Sequence, residues 1–214
     1  MTNENSMDAP LNPMAFLRND LDALAGHRRL VVVDGANGAG KTTLVRRLGE
    51  VCPQVLEAVE VINPDEIMFA QCPDNPMRAG RLALLRRRAL MAGGKDFLVE
   101  TTLAGNSTVE LVLEAVSLGY KVVFVYIGLD SVELHKARVR ARVAAGGHDI
   151  AEKDIERRRE RSLANVAKVL PMADRFLLLD NSGDDFLTLM RVRGDKEVMR
   201  AQELPAWVPG CLSA

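Results

Sequence analysis

The sequence predicts an α/β fold, a parallel sheet covered by helices on both faces. Three observations carry that reading. First, five short apolar runs, Leu30–Val33, Val59–Ile62, Phe97–Val99, Val122–Ile127 and Phe176–Leu179, lack the polar alternation of half-exposed strands. Strands buried on both faces read this way. Second, stretches with helical spacing separate them: Thr42–Glu50, Met77–Met91, Ser107–Leu118, Ser131–Ala145 and Glu152–Val169. Such alternation predicts parallel strands with right-handed crossovers. Third, Gly35-Ala-Asn-Gly-Ala-Gly-Lys-Thr42 directly follows the first run and fits the phosphate-binding loop pattern, G, four residues, then G-K-[ST].

Each remaining stretch takes its place around that frame. Residues 1–13 read as a loose arm and 14–214 as a single domain, with a lid around 138–161. Before strand one, Phe16, Leu17, Leu21 and Leu24 have helical spacing, and Gly26 ends that helix. After strand five, residues 186–200 alternate weakly around Gly194-Asp195, the pattern of a hairpin. Leu204-Pro-Ala-Trp207-Val packs the lone Trp against the body. With 214 residues the chain is long enough for one sizeable core.

Bulk charge narrows the class of function. Lys and Arg number 28 against 29 Asp and Glu, so no global charge draws the chain to nucleic acid or an anionic membrane. Cys52, Cys72 and Cys211 are widely spaced and make neither a disulfide framework nor a metal site, as expected in a reducing cytoplasm. His27, His135 and His148 form no ligand cluster. Residues 1–12 lack a basic and an apolar stretch, so no signal peptide is expected, and no apolar run reaches membrane-spanning length.

The loop dictates its own chemistry. Gly35, Gly38 and Gly40 let the backbone approach a polyphosphate closely. The N–H groups from Gly35, Ala36, Asn37, Gly38, Ala39 and Gly40 through Thr43 form an anion-binding nest, reinforced by the helix N-terminus. Lys41 reaches the β- and γ-phosphates and the Thr42 hydroxyl suits Mg²⁺. ATP with Mg²⁺ is the expected pairing.

In open α/β sheets, ligands sit at the carboxyl ends of the strands. After strand two comes Asn63-Pro64-Asp65-Glu66, after strand three Glu100-Thr101-Thr102, and after strand five Asp180-Asn181-Ser182. Asp65 has two compatible readings, a base for a substrate hydroxyl and an N-cap for the next helix. Glu100 is a metal- or substrate-side acid, or a plain strand-end residue. Thr101 and Thr102 are substrate contacts or simple loop hydroxyls.

Between 138 and 161 seven arginines flank a Gly146-Gly147 hinge. Arg142 and Arg158 are placed to converge on transferring phosphates, about two of the seven being expected there; the interleaved Glu133, Glu152, Asp154, Glu156 and Glu160 give the competing picture of a salt-bridged hairpin. His148 reads as a turn or cap residue before a catalytic one. Arg78, Arg81, Arg86, Arg87, Arg88 and Lys95 lie in a stretch without acids, read as a solvated helix face ahead of a site for an acidic substrate. The absence of aromatics there argues against nucleic acid.

Taken together, these motifs resemble the zeta toxin family of phosphate-loop kinases. The resemblance rests on Gly35–Thr43, Ile62-Asn-Pro-Asp65, Glu100-Thr-Thr-Leu-Ala-Gly105, Arg138 to Arg142 with Gly146-Gly-His148, Ile155 to Leu163, and Asp180-Asn-Ser182. It implies a five-stranded sheet of order 2-3-1-4-5 and transfer of the γ-phosphate of ATP to a small-molecule hydroxyl. UDP-N-acetylglucosamine is the implied substrate type, and an antitoxin partner enters through the resemblance alone. Asp65 then matches the general base, Lys41 and Thr42 the triphosphate and Mg²⁺ site, Glu100 a substrate- or metal-side acid, and Arg142 and Arg158 the phosphate clamp. Asn63, Thr101 and Thr102 fall on the acceptor side. Kinases of sugars, nucleosides, antibiotics or polynucleotide 5′ ends share the same loop and sheet, and a nucleotide-dependent switch is the rival of another class.

Overall fold

The computed structural model describes residues 12–73, 75–147 and 149–213. Most of the expected arm and His148 lie outside them. The first element is helix α1 (Pro13–Ala23), capped by the Asn12 side chain on the Met14 N–H. There follow β1 (Arg29–Asp34), α2 (Lys41–Val51), α3 (Pro53–Glu57), β2 (Glu60–Ile62), α4 (Pro64–Gln71), α5 (Pro76–Ala92) and β3 (Phe97–Glu100). The second half adds α6 (Asn106–Ser117), β4 (Lys121–Gly128), α7 (Val132–Ala144), α8 (Glu152–Val169) and β5 (Arg175–Asp180). A hairpin of β6 (Leu187–Arg193) and β7 (Lys196–Arg200) and the short α9 (Gly210–Ser213) complete it.

The sheet order is β2-β3-β1-β4-β5-β6-β7. Its first five strands are parallel in the expected order 2-3-1-4-5. The expectation of five strands needs correction to seven, because the hairpin continues the sheet antiparallel to β5. The apolar-run reading missed this extension for a physical reason. Arg191 and Arg193 occupy β6 positions where a core strand carries apolar residues, and both turn onto the buried Asp20 of α1.

Strand side chains alternate between two cores. Val31, Val33, Val123, Val125 and Leu177 face α1 and α2, while Leu30, Val32, Phe97, Phe124 and Phe176 face α5, α6 and α8. Continuous apolar runs are therefore required on the central strands, since every residue meets a helix layer. Trp207 closes one end of the second core, its indole Nε1 donating 2.6 Å to Asp180 Oδ2. Its ring lies so near Gly128 that a Cβ there would fall 2.2 Å from it.

Candidate active site

The loop after β1 is held from three sides. Gly38 and Gly40 have φ of 83° and 101°, the left-handed region that glycine adopts without strain. Gly40 is also approached from outside: a Cβ would lie 2.4 Å from the Asn181 amide, which donates 2.8 Å to the Ala39 carbonyl. From α7, the buried His135 donates from Nδ1 to the Asn37 carbonyl at 2.7 Å. Burial pushes the pKa of His135 down to about 4, so the ring is neutral and the hydrogen bond fixes its tautomer. Arg158 of α8 donates from Nη1 to Asn37 Oδ1 at 3.2 Å.

Within that loop Lys41 opens α2 and its Nζ donates to Gly35 O at 2.8 Å. Burial lowers the Lys41 pKa, and the charges of Asp34, Glu100 and Asp65 oppose that shift. The four groups therefore share one electrostatic neighbourhood. Thr42 Oγ1 donates to Glu100 Oε2 at 2.8 Å. Burial raises the Glu100 pKa, with the Thr42 hydroxyl and Lys41 pulling the other way. A hydroxyl and a carboxylate in contact at the phosphate end suit Mg²⁺, which takes few protein oxygens and completes its shell with phosphate and water.

A cavity of about 850 Å³ opens over the loop, the size of a small-molecule site. It brings together Lys41, Thr42, Asn63, Asp65, Glu100, Thr101, Thr102, Arg142 and Arg158. The N-cap reading of Asp65 needs correction. Asn63 is the cap, its Oδ1 accepting from the Asp65 N–H at 3.0 Å, so Asp65 stands exposed in the first turn of α4. Thr101 faces a neighbour in its own segment, with its hydroxyl 2.8 Å from that of Thr108.

The arginines sort themselves by partner. Arg140 pairs with Glu152 and Arg157 with Asp154, while Arg138, Arg142 and Arg158 line the cavity. Arg138, one of the seven arginines but not one of the two expected to converge on phosphates, sits four residues before Arg142 on the same helical face. Lys136 binds Glu156 at 2.6 Å and Glu133 at 3.0 Å, so the two arginine-bearing helices are also the salt-bridged hairpin of the competing reading.

Two further residues take a place that the sequence did not single out. Asp34, the last residue of β1, is fully buried beneath the loop, and burial pushes its carboxyl up to about 7. Arg87, read as part of a solvated helix face ahead of a site for an acidic substrate, is buried at 7% exposure and lines the cavity. Its signal was faint: Gly80, Ala83, Leu84 and Arg87 follow helical spacing on one face of α5.

Residues 30–165 match the AAA_33 family, an AAA domain. An uncharacterized protein of Haemophilus influenzae is 38% identical over 122 residues, 55% of this chain and 83% of that protein. Among solved structures, a chain of the AvrRxo1-ORF1:AvrRxo1-ORF2 complex with sulphate ions is similar with a TM-score of 0.66 at 16% identity. The match covers 85% of this chain and 63% of that one, so this chain spans less than two thirds of its length. The same complex solved with ATP gives the same figures. A chain of the PezAT chromosomal toxin-antitoxin system of Streptococcus pneumoniae has a TM-score of 0.55 at 19% identity, over 79% of this chain and 76% of that one. At these identities the likeness is one of fold.

Proposed function

Because the chain belongs to the AAA_33 family of AAA domains and has a kinase-like phosphate-loop fold, we propose that it is an ATP-dependent small-molecule kinase acting on a substrate hydroxyl. The observation that carries the reading is that the loop residues and a free-standing carboxylate line one cavity. Asn37, Gly38, Gly40, Lys41, Thr42 and the exposed Asp65 all line it.

In this reading Lys41 binds the β- and γ-phosphate oxygens, and the loop N–H groups hold the rest of the polyphosphate. Thr42 and Glu100 would hold Mg²⁺, which offsets charge on the phosphates. Asp65 accepts the acceptor's O–H proton as that oxygen bonds to the γ-phosphorus and the bond to the ADP oxygen breaks. Arg142 and Arg158, joined by Arg138, neutralise charge in the transition state. Asn63, Thr101 and Thr102 orient the acceptor. The α7–α8 pair acts as a lid over 138–161, within a single domain spanning 14–214.

The acceptor is the partner this reading requires. UDP-N-acetylglucosamine is the named candidate, on the resemblance to zeta toxins; an antitoxin-type protein partner rests on that resemblance and on the nature of PezAT alone. No helix among the described residues is long and apolar enough to cross a membrane, and a cytoplasmic location belongs to the same proposal. The test is a mass-spectrometric screen of metabolite extract with ATP, with UDP-N-acetylglucosamine run in parallel. The expected result is one new phosphorylated product that requires Lys41. Nucleotide turnover with no phosphorylated organic product, in any extract, would overturn the kinase reading in favour of a switch.

A further inference from the structure

Helix α5 lends the cavity four lining residues. Gly80, Ala83, Leu84 and Arg87 stand at positions i, i+3, i+4 and i+7, so they share one face. A Cβ on Gly80 would meet nothing within 4 Å, and Ala83 offers only a methyl group. The face is thus a trough about 10 Å long at 1.5 Å per residue. Arg87 closes its far end.

Arg87 differs from its neighbours in sequence. Arg86 binds the Glu60 carboxylate through Nε and Nη2. Arg87 is 7% exposed, its Nε is fully buried, and no hydrogen bond or ion pair to it is found among the described residues. Burial alone acts on its pKa, downward, with no compensating charge. Burying an unpaired guanidinium is costly, and a fold whose other core arginine, Arg191, is doubly bonded to Asp20 does not leave one idle by default. A planar fork of N–H donors facing a cavity is what binds carboxylate and phosphate.

We propose that Arg87 is the specificity-determining anchor of the acceptor, and that the acceptor carries an anionic group, phosphate or carboxylate, seated against Arg87 at the end of the α5 trough. This rests on the kinase reading for the word acceptor, but the anion site itself is independent of turnover. The reacting hydroxyl lies toward Asp65 while the anion lies toward Arg87, so neutral sugars and alcohols are poor substrates.

The test is anion binding to the full chain with the loop filled by saturating Mg²⁺ and a non-hydrolysable ATP analogue. Inorganic phosphate is titrated by ³¹P NMR and acetate by ¹³C NMR, against the wild type, Arg87→Met and Arg87→Lys. The expected result is saturable binding of one probe, weakened about 10- to 100-fold in Arg87→Met and partly kept in Arg87→Lys. Whichever probe binds names the anion class. A second variant, Leu84→Glu, sets a carboxylate beside Arg87 from a half-exposed position and should abolish binding even if Arg87→Met does not fold. No saturable binding of either probe, or binding indifferent to these changes, overturns the proposal. Once the acceptor is known, Arg87→Met should raise its KM and leave the KM of ATP unchanged. Anion binding without any transfer would leave the anchor standing and remove the kinase reading; transfer to a neutral acceptor would do the reverse.

Discussion

Asp34 is buried beneath the loop, within the electrostatic reach of the half-buried Lys41 that opens α2. Burial lifts the Asp34 pKa from 3.8 to about 7 against the opposing pull of Lys41. Between those values the folded protein binds a proton that the unfolded chain has lost. Stability therefore falls as pH rises across that window, by roughly 4 kcal/mol in total, and the cost is complete above pH 7. Asp34→Asn keeps an oxygen for the Gly35 N–H and removes the titration. Its melting temperature should exceed that of the wild type at pH 8 and converge with it near pH 4. Parallel curves across that range would show that Asp34 is not held protonated. No sequence pattern announced this residue, because an Asp at the end of a strand looks the same whether it is solvated or buried. Arg87 was named in a basic stretch with two readings, and the sequence did not decide between them because the surroundings of three consecutive arginines are set by how α5 lies against the sheet. The loop residues were legible because their chemistry is backbone-driven and fixed by local spacing.

At the scale of elements, α1 is tied to the far edge of the sheet through one side chain. Asp20 accepts from Arg191 at 2.8 and 3.1 Å and from Arg193 at 2.9 Å, and Arg175 Nε lies 3.3 Å away. Removing one partner of a buried ionic cluster leaves the others uncompensated. Asp20→Ala should cost about 3 kcal/mol or more in chemical denaturation. A loss under 1 kcal/mol would mean that the apolar face of α1 does the anchoring alone. This cluster also explains what the sequence concealed. Helices α2, α5, α6, α7 and α8 and the five parallel strands were readable from periodicity and strand-end chemistry, their ends shifting by a residue or two. The hairpin was readable from the alternation of residues 186–200, but its pairing onto β5 was not, because β6 spends two of its positions on arginines whose reason lies in α1, about 170 residues earlier in the chain.

For the whole molecule, the cavity joins parts that are distant in sequence: the loop, α4, α5, the end of β3, and the α7–α8 pair. A ligand there binds only the folded state. Mg²⁺ with a non-hydrolysable ATP analogue at 100 times its Kd should add about 2.7 kcal/mol of stability. For a chain of this size that raises Tm by roughly 5–10 °C. Lys41→Ala should lose most of the rise; an equal rise in both proteins would place the nucleotide elsewhere. Arg158 and His135, 121 and 98 residues from Asn37 in sequence, are contacts through which α8 and α7 meet the loop.

The central claim is that Asp65 and Lys41 face each other across one phosphoryl-transfer site. Single-turnover transfer from ATP labelled with ¹⁸O in the γ-phosphate, in metabolite extract, tests it most directly. In the wild type the label should appear in an organic phosphate ester. In Asp65→Asn the transfer rate should fall by about 10²–10⁴, while nucleotide affinity stays unchanged. Label found only in inorganic phosphate, at equal rates in the two proteins, would contradict the account.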